Sequence, residues 1–244
     1  MQGDSGVILG QLLAELKKKA TPKFTEAAKK RVEAHTAERK AWRAQAAKLA
    51  TNKGEVGEIN PHYLFAELNK LLMPDDIICN EGVRNAGACL LQIERPNPNT
   101  SVRSGGGGLG WSGGMALGCK LAAPDKMVVQ VVGDGGFYFG GPSSVFAVAK
   151  QYNLPIFVLL LDNTGWSAVK ESTLRVFPEG EAKAAGLFQA GLMPDAEFSK
   201  IGEAFGAHGE KVSNPDDVPA ALKRCVDAIR GGRTAILHVR VTKL

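Results

Sequence analysis

No stretch of this 244-residue chain has the length needed to cross a membrane as a helix. The longest apolar run, Ile156 to Leu161, suits a buried strand. The N-terminus lacks a charged stretch followed by a continuous apolar segment, so no secretory leader is expected and a cytoplasmic location is. Cysteine is scarce. Cys79, Cys89, Cys119 and Cys225 are scattered and form no CxxC pair, which argues for reduced core thiols and against thiolate metal binding. His35, His62, His208 and His238 show no metal-ligand spacing. A phosphate-loop lysine motif is absent.

Charge is unevenly spread. The formal net charge is +5, but between Lys17 and Lys53 12 lysines and arginines face 3 glutamates, leaving a net −4 elsewhere. Only Phe24 and Trp42 interrupt this basic segment as aromatics, too few and too far apart to stack on bases. It reads as a solvated linker helix, with neither nucleic acid nor a membrane surface as partner. Glycine is what the chain has in abundance. Its 29 glycines concentrate in Gly105 to Gly118 and Gly133 to Gly141, with apolar runs between, as in a folded domain with glycine-dependent loops.

Three segments are expected. Residues 1–22 hold an amphipathic helix from Ser5 to Lys19, whose Leu12, Leu13 and Leu16 form an apolar stripe, like the last helix of something larger. Residues 23–57 are the basic linker, with helical parts. Residues 58–244 are the main domain, opened by a helix at Asn60-Pro61, with proline at the first helical position. Short strands are expected at Asp76 to Cys79, Met127 to Val132, Ile156 to Leu161 and Ala235 to Val241. Helices are expected at Leu109 to Ala122, Pro142 to Tyr152, Phe198 to Phe205 and Val218 to Arg230. This alternation predicts an α/β fold, a three-layer α/β/α arrangement with a mainly parallel sheet, preceded by a helical linker.

The segment richest in chemistry is Gly133-Asp134-Gly135-Gly136, at the end of the strand Met127 to Val132. Open α/β sheets bind ligands at the carboxyl ends of their strands. Glycines there let backbone N–H groups turn toward an anion, and the helix near Pro142 would add its positive end. The next strand ends in Asp162-Asn163-Thr164-Gly165, and adjacent parallel strands would bring Asn163 near Asp134. A carboxylate, an amide oxygen and a freed carbonyl suit magnesium. Taken alone, the short motif also suits a tight turn, with Asn163 as a cap.

Gly133-Asp134-Gly135, a helix, Asn153-Leu154-Pro155, an apolar strand and Asp162-Asn163 together resemble the diphosphate-binding signature of thiamine-diphosphate enzymes. The style is that of the acetolactate synthase, benzoylformate decarboxylase and oxalyl-CoA decarboxylase group. The resemblance runs from about Ile59 to Leu244 and includes Asn80-Glu81-Gly82, Leu109-Gly110-Trp111, Ala116-Leu117-Gly118 and Pro124-Asp125. It implies thiamine diphosphate and Mg2+ as cofactors. Asp134 and Asn163 would hold the metal through side chains and Gly165 through its carbonyl. Gly133, Gly135 and Gly136 would cradle the diphosphate, and Leu109 would prop the bent cofactor. The Gly107 carbonyl would accept from the cofactor's amino group, with Gly108 beside it. Glu81, Gly82, Val83, Arg84 and Trp166 fall where the family touches cofactor or substrate.

The implied activity is that of a carbon–carbon lyase or carboligase acting on 2-oxo acids or related acyl substrates, with a small-molecule carbonyl compound as substrate. The catalytic glutamate of the family sits on a pyrimidine-binding domain for which this chain has no room, and neither Glu81 nor Glu171 takes its place. A partner chain or domain carrying it, and an oligomer, are therefore expected. The alternative is a non-catalytic cofactor-binding or regulatory fragment. The sequence departs from the pattern in a slightly long spacing from Asp134 to Asn163, in Gly136 where a serine is usual, and in Asp162 where an asparagine is usual.

Weaker signals point elsewhere. Gly105-x-Gly107-x-x-Gly110 matches a dinucleotide fingerprint but follows only Ser101-Val102-Arg103. Gly110-Trp111-Ser112-Gly113-Gly114 matches a nucleophile elbow, which would make Ser112 a hydrolase serine, but a glycine run replaces the required strand. Trp111 and Trp166 suit core packing and a pocket wall equally.

Overall fold

The computed structural model describes residues 3–242; residues 1–2 and 243–244, at the ends of the first and last expected segments, lie outside the described residues. The chain divides into two compact units, Met1–Gln45 and Ala46–Leu244. Two long helices supply the first. Helix α1 (Ser5–Lys19) is capped by Asp4, whose side chain accepts from the Val7 N–H at 3.0 Å, and three lysines occupy its last turn. Its apolar side chains, Val7 to Leu16, are exposed. Helix α2 (Pro22–Ala50) is one continuous helix, where only helical parts were expected.

The second unit begins with the last residues of α2, from Ala46, followed by a small hairpin, β1 (Gly54–Glu55) and β2 (Glu58–Ile59). Helix α3 (Pro61–Asn69) is capped by Asn60, with proline at its first position as expected. Strand β3 (Ile77–Glu81) leads through a short turn, Val83–Asn85, into α4 (Ala86–Gln92) and the edge strand β4 (Ser101–Val102). Then follow α5 (Ser112–Ala122), β5 (Val128–Gly133), α6 (Asp134–Phe139), α7 (Pro142–Gln151) and β6 (Phe157–Asp162). Helices α8 (Ser167–Val176), α9 (Glu181–Ala185) and α10 (Ser199–Ala204) precede β7 (His208–Val212), α11 (Val218–Arg230) and β8 (Ala235–Arg240).

Six strands pair in the order β4-β3-β5-β6-β8-β7, every neighbouring pair parallel. Alternation along the strands builds one core on each face. Val129, Val131, Leu159 and Leu237 pack with α3 and α11. Val128, Val132, Val158, Leu160 and Ile236 pack with α5, α6 and α7. The result is the expected three-layer α/β/α arrangement. Strands β5 and β6 are buried on both faces, which is why they read as unbroken apolar runs. From β3 the chain passes to β4 on one side and returns to β5 on the other. The pair β3/β5 is thus a switch point, where a crevice opens at the strands' carboxyl ends. Among the described residues no helix is long and apolar enough to cross a membrane.

Candidate functional site

The crevice at that switch point has a cavity volume of ≈ 80 Å³ and is lined from β3 by Glu81 to Asn85, from β5 and α6 by Gly133 to Gly136, and from β6 and α8 by Leu161, Asn163 and Gly165 to Val169. Leu109 closes one side. Twelve of the fourteen residues predicted from sequence for this site therefore meet in one place. Gly107 and Gly108 do not; they lie exposed in the loop before α5. A wider pocket of ≈ 520 Å³ adjoins at Asn163 and Gly165, reaching Lys170 and the 186–191 segment.

Asp134 is the first residue of α6, so this short helix, not the one at Pro142, begins at the crevice. The earlier expectation for Pro142 is corrected: none of α7 lines the cleft. The Asp134 carboxylate is buried, and its two oxygens accept from the Gly135 N–H at 2.8 Å and the Gly165 N–H at 2.9 Å. Burial pushes this carboxyl up to about 7; the two N–H groups pull it down, while the nearby Asp162 carboxylate pushes it further up.

Asn163 is fixed differently. Its amide nitrogen donates to the Ser167 hydroxyl, and its Oδ1 is buried without a partner. Thr164, next to it, has φ +65, unusual for a β-branched residue, and its N–H donates to Asp162 Oδ1 at 2.9 Å. That bond folds the segment back so that the Gly165 N–H faces Asp134. Val83, across the cleft, also has positive φ, +39. An unsatisfied amide oxygen in one cleft with a carboxylate is the donor set of a hard, oxygen-liking cation such as Mg2+.

Asp162 does not reach toward a ligand. Its Oδ2 accepts from His238 Nε2 and from Arg240 Nη1, each at 2.7 Å. Burial would raise its carboxyl, but the His238, Thr164 and Arg240 bonds overcome that and hold it at about 2. Sequence reasoning missed His238 and Arg240 as members of the site's surroundings. Their i, i+2 spacing on the last strand, which places both on one face, was the available signal.

Glu81 is likewise internal scaffolding. It is buried, and its two oxygens accept from the Gly110 and Ser112 N–H groups, the latter at 2.9 Å, pinning the start of α5 and with it Leu109. Gly110 has φ +85, and a Cβ there would lie 2.6 Å from the Phe139 backbone, so only glycine fits. Arg84 pairs with Glu171 at 3.0 Å on the rim.

The remaining signals resolve. Ser112 is fully buried in the first turn of α5, its hydroxyl accepting from Gln130, which removes it as a hydrolase nucleophile. Trp111 packs against the core and Trp166 lines the cleft. The cysteines are free, and burial pushes the thiols of Cys89 and Cys225 up to about 12, leaving them unreactive. His208, Glu210 and Cys225 do gather at the edge strand, but Arg224 forks onto Glu210 and already supplies the cation there.

Residues 85–239 match the family model described as thiamine pyrophosphate enzyme, C-terminal TPP binding domain. Sulfoacetaldehyde acetyltransferase from Castellaniella defragrans is 26% identical over 79% of this chain and 31% of its own length. The acetolactate synthase isozyme 3 large subunit of Escherichia coli is 26% identical over 82% of this chain and 33% of its own. Among solved structures, a thiamine diphosphate-dependent 4-hydroxybenzoylformate decarboxylase from Rhodococcus jostii RHA1 superposes with a TM-score of 0.66 at 24% identity, covering 77% of this chain and 33% of that one. The chain thus spans about a third of the length of these relatives. With the match covering well over half of its residues, the chain belongs to the thiamine pyrophosphate enzyme family, as the C-terminal domain that binds the cofactor.

Proposed function

We propose that the cleft between β3, β5 and β6 anchors the diphosphate of thiamine diphosphate through one Mg2+, held by the side-chain oxygens of Asp134 and Asn163 and by the Gly165 carbonyl. The observation that carries this reading is Asn163 Oδ1, buried and unpartnered in the cleft that also holds the Asp134 carboxylate. A polar atom left so costs about 1–3 kcal/mol, which a cation would recover. The Gly136 N–H would meet the diphosphate, while that of Gly135 is engaged by Asp134, and Leu109, kept in place through Glu81, would support the cofactor. When bound, thiamine diphosphate supplies a thiazolium carbon that adds to carbonyl groups and stabilises the charge left by carbon–carbon cleavage.

The activity we assign to the assembled enzyme is that of a carbon–carbon lyase or carboligase on 2-oxo acids or related acyl substrates. The curated relatives, a synthase, an acetyltransferase and decarboxylases, support that class. Activity requires a pyrimidine-binding domain, on a partner chain or domain, with its glutamate. Because the chain spans a third of its relatives, a second reading stands beside this one: a cofactor-binding fragment without turnover of its own.

Calorimetric titration with thiamine diphosphate, with and without Mg2+, tests the anchor. Binding that needs Mg2+ and is lost in Asp134→Ala is expected; no heat in either condition refutes it. Mixing with a chain that carries the missing domain separates the two readings, since restored decarboxylation supports the enzyme and its absence the fragment.

A further inference from the structure

Trp166 lines the cleft, and its indole edge lies on the first turn of α6. A Cβ placed on Gly135 would come within 2.3 Å of its Cδ1 and 2.4 Å of its Nε1. Position 135 is glycine because the indole occupies the space of a side chain. The backbone holds the residue from behind: the Trp166 N–H donates to the Ala190 carbonyl at 2.8 Å, and Phe139 packs against the ring with centroids 5.9 Å apart. Yet Nε1, a group that only donates, is buried with no acceptor.

We propose that Trp166 Nε1 is a hydrogen-bond donor to an oxygen of the bound diphosphate. This rests on the anchor reading above and adds to it a donor that is neither backbone nor metal. Three features support it. The unpartnered N–H belongs to a residue lining the same cleft as Gly133 to Gly136, Asn163 and Gly165. Among the described residues no acceptor bonds this N–H, so an acceptor would have to be supplied by what binds in the cleft. A diphosphate oxygen is an acceptor only, and being charged it makes the stronger kind of hydrogen bond. The cleft is narrow, ≈ 80 Å³, and Nε1 is closed off from solvent beside it, so an anion entering the cleft would meet this N–H only by displacing the indole.

The test uses the full chain with Mg2+ and inorganic pyrophosphate, which lacks the rest of the cofactor. Trp166→Phe keeps an aromatic ring while removing the donor together with the indole edge that covers Gly135. Pyrophosphate affinity, by calorimetry, is expected to fall about ten-fold, as for loss of a hydrogen bond to a charged group. In the unaltered chain, the indole N–H resonance absent from Trp166→Phe is expected to move downfield on adding pyrophosphate, with that of Trp42 unmoved. This second measurement decides the matter if the variant folds poorly. Affinity unchanged or tighter in Trp166→Phe, or an unmoved Trp166 resonance, overturns the inference while Asp134→Ala still abolishes binding and the anchor stands. No pyrophosphate binding by the unaltered chain overturns both.

Discussion

Asp162 and Arg240 face each other on neighbouring parallel strands, β6 and β8, and are joined by an ion pair of 2.7 Å whose carboxylate is 1% exposed. His238, two residues earlier on β8, reaches the same carboxylate oxygen. A buried acid next to Asp134 would otherwise place two negative charges together; the two β8 side chains neutralise one of them. Thus Asp162, which stands where an asparagine is usual, shapes the Thr164 turn with one oxygen and is held by His238 and Arg240 at the other.

Removing one partner from this group is expected to cost more than removing both. Arg240→Met should destabilise the chain by about 3 kcal/mol, because the Asp162 charge stays buried with less support. Adding Asp162→Asn should recover a large part of that loss. Urea denaturation of the two single variants and the double variant gives the coupling directly. A double variant no more stable than Arg240→Met would mean that the charge pair is not what the residues contribute.

The carboxyls of the site predict opposite pH responses. Asp134 has its value raised, to about 7, so the fold favours its neutral form. Its contribution to stability is fully present below the ordinary carboxylate range and is lost as pH rises through 7. Asp162, held at about 2, contributes stability above the ordinary range, lost as pH falls toward 2. Metal-free wild type should therefore lose stability relative to Asp134→Asn between pH 4 and 7, with a slope of up to about 1.4 kcal/mol per pH unit. Denaturation curves at half-unit intervals check this; parallel pH profiles would contradict it.

Glu81→Gln keeps size and one carbonyl oxygen but leaves either the Gly110 or the Ser112 N–H facing an amide nitrogen. The expected cost is about 1–3 kcal/mol, local to the start of α5. Amide exchange at Gly110 and Ser112 should accelerate while the core of β5 and β6 keeps its protection. Unchanged exchange at both amides would show that the carboxylate is not what pins the loop.

Most of the sheet was legible because its strands are buried on both faces. The runs at β5 and β6 are apolar and β-branched, and glycine with an acid marks where each ends. Helix α11 was legible to the residue, since Val218, Ala221, Leu222, Cys225, Val226 and Ile229 repeat at helical spacing. Other elements carried no such signal. Helix α6 starts Asp-Gly-Gly, poor helix formers, and forms because it packs Phe137 into the core. Strand β7 is His-Gly-Glu-Lys-Val, a half-exposed edge strand with no apolar run, and only its pairing with β8 reveals it. At the site, the residues that line the cleft could be read from their position at strand ends. The network behind them could not: Asp162 meets its partners more than 70 residues away, and Glu81 meets Gly110 across 29.

Glu81 also limits which neighbours the chain can acquire. A Cβ on Gly136 would lie 3.2 Å from Glu81 Oε1 and 3.3 Å from Val132, so even an alanine there crowds the carboxylate that holds Gly110. A serine at 136 is therefore not a free gain of one hydroxyl. It would ask Glu81 to give by a few tenths of an ångström, and through its bonds to Gly110 and Ser112 that shift would reach the loop carrying Leu109.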